Sequence, residues 1–182
     1  EVTVNTTELF RDPEFWKTVR DTVLPEMQQH QNIHIWHAGC STGEEVYSMT
    51  IILQEAGILD RVKITATDIN RAVLKTASQG RYPERVFKLY EQNYKEFGGK
   101  NRLSDYYTVK NGFGQMNPEL IRNVKFRPFD LVSGSVFSKF DLVLCRNVMI
   151  YFDKVLQDKV SKLFYESLFK YGYLAVGAKE SL

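Results

Sequence analysis

Apolar positions along this chain fall into two rhythms. The stretches IHIWHA (33–38), VKITATD (62–68), FDLVLC (140–145) and GYLAVG (172–177) are short and dense in apolar residues, the pattern of strands buried on both faces. Between them the spacing widens to that of helices. Phe15, Trp16, Val19 and Val23 recur at helical intervals behind Asp12-Pro13, a capping side chain followed by proline at the first helical position. Val46, Met49, Leu53 and Ala56 line a second helical face that Gly57 can end. Asn70 opens a third helix with Val73, Leu74 and Ala77, closed by Gly80. Asp153 starts a long one with Val155, Val160, Leu163, Phe164 and Leu168. Residues 81–101 are helical in part, and Gly98-Gly99 breaks them. Residues 103–128 differ in kind. YYTV (106–109) and NVKFRPF (123–129) read as strands around the turn-rich NGFG (111–114), a small β-hairpin element inserted into the alternating chain.

Strand–helix alternation predicts an α/β fold: an open, mostly parallel sheet with helices on both faces. Ligands of such sheets bind beyond the carboxyl ends of the strands. Gly39–Glu45, Asp68, Asp130 and Arg146-Asn147 all follow strand ends, so one rim is expected to carry four motifs.

Composition narrows this picture only slightly. The 182 residues are enough for one domain with a full core. The net charge of +2 is spread along the chain, which argues against bulk binding to nucleic acid. No apolar run approaches a membrane span and no signal peptide opens the chain. Two cysteines far apart, Cys40 and Cys145, form no disulfide framework and suit a reducing, cytoplasmic setting. The three histidines, His30, His34 and His37, show no metal-ligand spacing or catalytic partner and read as structural.

The stretch IHIWHAGCSTGEE (33–45) carries the most information. A strand runs into a small-residue turn and then a helix N-terminus, which brings bare backbone N–H groups up to a ligand. The helix opens with Glu44 and Glu45 rather than Lys plus Ser/Thr, so this is not a phosphate-gripping loop. Acidic groups suit a ligand with hydroxyls or a positive charge, and S-adenosylmethionine has both. Glu45 is expected to face that cofactor, and Glu44 to serve the helix end.

Asp68 lies about 25 residues past Gly43, near the offset at which nucleotide-binding α/β folds place a ribose-binding acid. Asp130 can accept from an adenine amino group while Leu131 packs on the ring; the competing reading is an aspartate that merely holds a turn. The Arg146-Asn147 pair directly after a buried strand must find polar partners. On the physics of burial alone, Tyr151 reads as a core aromatic.

Taken together, NTTELFRD, AGCSTGEEVYS, ATDINRAVLKTASQGRY, FDLVLCRNVMIYFD and GYLAVGAKESL resemble the CheR-type chemotaxis receptor methyltransferases over nearly the whole chain and in the same order. The resemblance implies a class I, Rossmann-like methyltransferase domain over residues 1–182 with a small inserted antiparallel β-subdomain at 103–128. It implies methyl transfer from S-adenosylmethionine to glutamate side chains of chemoreceptors, with S-adenosylhomocysteine as product. By the same resemblance Asn5, Thr7, Arg11, Gly39, Glu45, Asp68, Asp130, Leu131, Arg146 and Asn147 bind the cofactor. Arg11 and Tyr151 work at the reacting centre. The β-subdomain is the candidate dock for the receptor, and the domain is expected to be monomeric, without a metal. Asp130 stands where many members carry Asn, and Lys179 where Ser is common. The chain also begins after the family's small N-terminal domain and ends before its last strands, so a longer parent protein and an exposed sheet edge are expected. Two other readings remain open at this point: a class I methyltransferase for a small molecule, and a non-catalytic cofactor-binding sensory or scaffold module.

Overall fold

The computed structural model describes residues 7–180. Its strands are β1 (Ile33–Ala38), β2 (Val62–Asp68), β3 (Arg81–Pro83), β4 (Tyr107–Lys110), β5 (Phe113–Met116), β6 (Val124–Pro128), β7 (Phe140–Cys145) and β8 (Leu168–Val176). The helices are α1 (Pro13–Thr18), α2 (Leu24–Met27), α3 (Glu44–Glu55), α4 (Arg71–Gln79), α5 (Phe87–Phe97) and α6 (Lys154–Glu166). Five strands form a parallel sheet in the order β6-β2-β1-β7-β8. The chain winds outward from β1 to β6, then returns to the other side of β1 for β7 and β8. The strand order therefore reverses between β1 and β7, which opens a crevice at their carboxyl ends.

The hydrophobic pattern explains why these strands occupy the centre. Every residue of β7 is buried, as is every residue of β1 except His34. Ile33 and Ile35 pack with Leu142, Leu144 and the α3 residues Met49 and Ile52 on one face. On the other face Trp36 meets Val143 and the α6 residues Val160, Leu163 and Phe164. The Trp36 ring also lies against Phe129 and Phe137, and its Nε1–H donates to Thr67 Oγ1 at 2.9 Å, so its one polar atom is satisfied.

The boundaries of β1, β2 and β7 follow the sequence pattern closely, with three differences in other elements and a further one in β8. First, Asp12 does not cap α1 with its side chain. It sits in left-handed backbone (φ 58°), and its carboxylate pairs with Arg146. Second, the helix behind it widens to π geometry over Val19–Val23 before α2. Pro25 has no N–H to return to the carbonyl of Asp21, and the wider turn accommodates that loss. Third, the strand read over 123–129 does not pair within the hairpin. β6 joins β2 in the main sheet, from Val124 opposite Ile64 to Pro128 opposite Asp68. The partner of β4 is β5, and β3 completes a three-stranded antiparallel sheet. Pro128 is tolerated in β6 because that strand is at the sheet edge. Among the described residues β8 forms the opposite edge, and it starts earlier than the pattern predicts, with an irregularity between its pairing at Leu168 and at Tyr173.

Candidate functional site

The turn after β1 is held by backbone and carboxylate together. Cys40 N–H donates to the Thr67 carbonyl at 2.8 Å, which extends the β1–β2 pairing by one step. Ser41, in left-handed backbone at φ 49°, donates its N–H to Asp68 Oδ2 at 2.9 Å. The other carboxylate oxygen, Oδ1, accepts from Asn70 N–H at 3.0 Å. Asp68 thus ties two strand-end turns to each other. An ionised carboxylate has about four lone-pair sites, so two remain for a ligand. The cap of α4 comes from Asn70, whose Oδ1 accepts from Ala72 N–H, so Asp68 is not spent on that cap.

Gly39 is required by contact as well as conformation. Its φ is +72°, and a Cβ there would lie 2.6 Å from Val148 Cγ2. The two turns that meet at this glycine, after β1 and after β7, form the floor of a cavity of about 620 Å³. A volume of several hundred Å³ suits a nucleoside-sized ligand. Thr7, Arg11, Gly39, Glu45, Asp68, Asp130, Leu131, Arg146, Asn147 and Tyr151 all line it. Asn5 lies outside the described residues.

The two leading glutamates have separate environments. Glu44 is buried (3% exposed), and both its carboxylate oxygens accept from Thr42 Oγ1, at 2.6 and 2.7 Å. It does not line the cavity. Burial pushes its pKa up to about 7 from an ordinary 4.5, against hydrogen bonds that favour the charged form. Glu44 therefore takes up a proton on folding at intermediate pH. The stability it contributes is present below pH 4.5 and is lost as pH rises through 7, by about 3 kcal/mol. Glu44→Gln is expected to be more stable than the wild type at pH 8, with the advantage gone at pH 4.5. Urea unfolding at the two pH values checks this, and an equal difference at both would disprove it.

Glu45 points the other way, into the cavity wall. Its Oε1 is 3.8 Å from His37 Nδ1 and its Oε2 is 3.9 Å from Arg146 Nη1. Arg146 pairs with Asp12 at 2.7 Å, and its guanidinium lies 3.8 Å from the centre of the Phe15 ring. Asp130 Oδ1 accepts from Val132 N–H at 2.9 Å, so the turn-holding reading is correct as far as one oxygen goes. The residue lines the cavity as well. Leu131 is buried with the Trp36 cluster and shows one edge to the same space.

Tyr151 corrects the burial argument. It is 57% exposed, on the short helical turn Met149–Tyr151 at the cavity, and is not part of the core. Glu180 is a residue that sequence reasoning did not single out. Its carboxylate accepts from the backbone N–H groups of Asn147, Met149 (2.8 Å) and Gly177 (3.0 Å), and so fixes the turn after β7. Its only signal in the sequence is its place just past the last strand. Asp12, Trp16 and Ile69 also line the cavity, Ile69 as an exposed apolar side chain.

The donor set fits S-adenosylmethionine. Carboxylates at Asp130, Asp68 and Glu45 offer acceptors to an amine, a diol and an ammonium, and Leu131 and Phe129 offer apolar walls to a ring. Arg146 Nε is buried without a hydrogen-bond partner among the described residues, as expected of a site built to meet a ligand or an ordered water.

A sequence model described as CheR methyltransferase, SAM binding domain, matches residues 5–182. The Cher3 protein of Pseudomonas putida is 47% identical over 181 residues, covering 100% of this chain and 66% of that protein. Chemotaxis protein methyltransferase 1 of Vibrio cholerae is 36% identical over 198 residues, again covering 100% of this chain and 66% of the relative. The chain thus spans just under two thirds of the length of these relatives. The crystal structure of the DszA carbon methyltransferase is similar at a TM-score of 0.53 and 18% identity, covering 90% of this chain and 34% of that one, a likeness of fold. From the match over residues 5–182, the chain belongs to the CheR methyltransferase family and carries that family's SAM-binding domain.

Proposed function

We propose that this domain transfers the methyl group of S-adenosylmethionine to glutamate side-chain carboxylates of chemoreceptors, in the cytoplasm and as a monomer. The observation that carries this reading is the order of polar side chains along one rim. Asp130 follows β6, Asp68 ends β2, Glu45 opens α3 behind β1, and Arg146 follows β7. Assigned to adenine, ribose and the methionine end in turn, they run the cofactor across the sheet toward Arg11 and Tyr151. Thr7 and Asn147 line the same cavity, and Asn5 is assigned with them by family resemblance.

When bound, the cofactor supplies an electrophilic methyl on a positively charged sulfur. The residues around it have no proton to remove from the acceptor, because a glutamate with a pKa of about 4.3 is already ionised at neutral pH. Burial holds the thiols of Cys40 and Cys145 well above the usual range, so both stay protonated and neither competes as a nucleophile. The task left to the protein is alignment and exclusion of water. Arg11 is suited to orient the acceptor carboxylate through its guanidinium fork. The exposed hydroxyl of Tyr151 is a second positioning contact. Receptor docking is assigned to the three-stranded sheet of β3, β5 and β4.

Incubation with receptor protein and methyl-labelled cofactor should give base-labile methyl esters on glutamate; label that enters only small molecules, or none, overturns the reading. Tyr151→Phe is expected to slow single turnover about tenfold while the cofactor Kd stays within about twofold. An unchanged single-turnover rate removes Tyr151 from the reaction.

A further inference from the structure

The described residues contain four buried side-chain polar atoms without a hydrogen-bond partner: Trp16 Nε1, His37 Nδ1, His37 Nε2 and Arg146 Nε. They are not scattered. The Trp16 ring centre is 5.8 Å from the Arg146 guanidinium, and Arg146 and His37 stand on either side of the Glu45 carboxylate at 3.9 and 3.8 Å. Leaving a buried polar group unpaired costs about 1–3 kcal/mol. Two of these residues, Arg146 and His37, flank one carboxylate, which calls for a state of the site in which a donor there is paired. His37 is 1% exposed near the end of β1, two residues before Gly39.

We infer that His37 is a positioning residue for Glu45. It donates Nδ1–H to Glu45 Oε1 when the cofactor is bound, and so aims the carboxylate at the cofactor's methionine end. Closing 3.8 Å to a hydrogen bond of about 2.9 Å needs only a small rotation of the Glu45 side chain, the less buried of the two. Strand order makes the methionine end the relevant part: adenine and ribose are assigned to β6 and β2, which leaves β1 and β7 for the amino acid. Arg146 approaches Glu45 from β7 and His37 from β1, so the carboxylate is held from both strands that flank the reversal point. This inference rests on the proposed contact between Glu45 and the cofactor.

The test is calorimetry on the whole chain with two ligands. S-Adenosylhomocysteine carries the amino acid; 5′-methylthioadenosine lacks its amino and carboxylate groups. His37→Leu is expected to weaken binding of S-adenosylhomocysteine about tenfold and leave 5′-methylthioadenosine within twofold. His37→Gln, whose amide N–H can donate, should recover most of the loss. In a Glu45→Gln background His37→Leu should have no further effect. Equal losses for both ligands, or none for either, overturn the inference. If Glu45→Gln binds S-adenosylhomocysteine as tightly as wild type, the assignment of Glu45 has failed and the inference falls with it. If only Glu45→Gln weakens binding, the inference alone has failed. Should His37→Leu not fold, the wild-type imidazole ¹⁵N resonances report directly. They must shift on adding S-adenosylhomocysteine and not on adding 5′-methylthioadenosine, and the absence of that contrast overturns the inference.

Discussion

Asp68→Ala is expected to weaken S-adenosylmethionine binding at least about a hundredfold, roughly 2.7 kcal/mol. Two contributions add. In the proposed site the carboxylate accepts from both ribose hydroxyls, and hydrogen bonds to a charged group are worth about 1.5–3 kcal/mol each. Asp68 also holds the Ser41 and Asn70 N–H groups, and Ser41 is in left-handed backbone that its neighbours must maintain. Removing the carboxylate therefore loosens the turn that lies over Gly39 and Cys40. The two contributions separate with a second ligand. Wild type should discriminate S-adenosylhomocysteine from its 2′,3′-dideoxy analogue, and Asp68→Ala should not. Undiminished affinity in Asp68→Ala would end the ribose assignment. A full loss with discrimination retained would leave Asp68 a role in the turn alone.

Replacing Arg146 by methionine is the second change with a large expected effect, and it should act on stability and binding together. The side chain fills its site, pairs with Asp12 at 2.7 Å and stacks its guanidinium 3.8 Å from the Phe15 ring centre. Asp12 is mostly exposed, so breaking this pair strands no buried charge, and the cost is well below that of a fully buried pair. A cation–π contact of about 0.5–2 kcal/mol plus one charge-assisted hydrogen bond puts the loss at about 2 kcal/mol. For a chain of this size that lowers Tm by about 4–8 °C. Glu45 would lose one of its two flanking basic side chains, so affinity for S-adenosylhomocysteine should fall about tenfold or more. A Tm within 1 °C of wild type together with unchanged affinity, against these estimates, would show that Arg146 fills space only.

Much of the site was legible because the chain brings its parts to the rim locally. A strand followed by Gly39, small residues and a helix start is a turn whatever surrounds it, and Asp68 and Arg146 each sit one step past a run that has to be buried. Pairing was less legible. The strand pattern at 123–129 is equally compatible with a hairpin and with a sheet edge, because alternation records which faces are covered and not by whom. β3, three residues long with a proline, has almost no periodic signal and exists through its partner β5. Tyr151 misled for a similar reason. An aromatic is buried on average, yet a residue on a short turn after β7 goes where the turn aims it.

Sequence by itself determined the alternating α/β plan, four of the five strands of the parallel sheet, the glycine turn with its acidic helix start, and the carboxylates and Arg-Asn pair at strand ends. These depend on local backbone geometry and on the need to bury continuous apolar runs. Only the tertiary structure decided which elements became neighbours: β6 beside β2, Asp12 against Arg146, Glu180 beneath the turn after β7. It also divided two adjacent glutamates, turning Glu44 into the core and Glu45 toward His37 and the cavity. Side chains one residue apart on a helix differ by about 100° in direction. What each of them meets is set by elements that arrive from elsewhere in the chain.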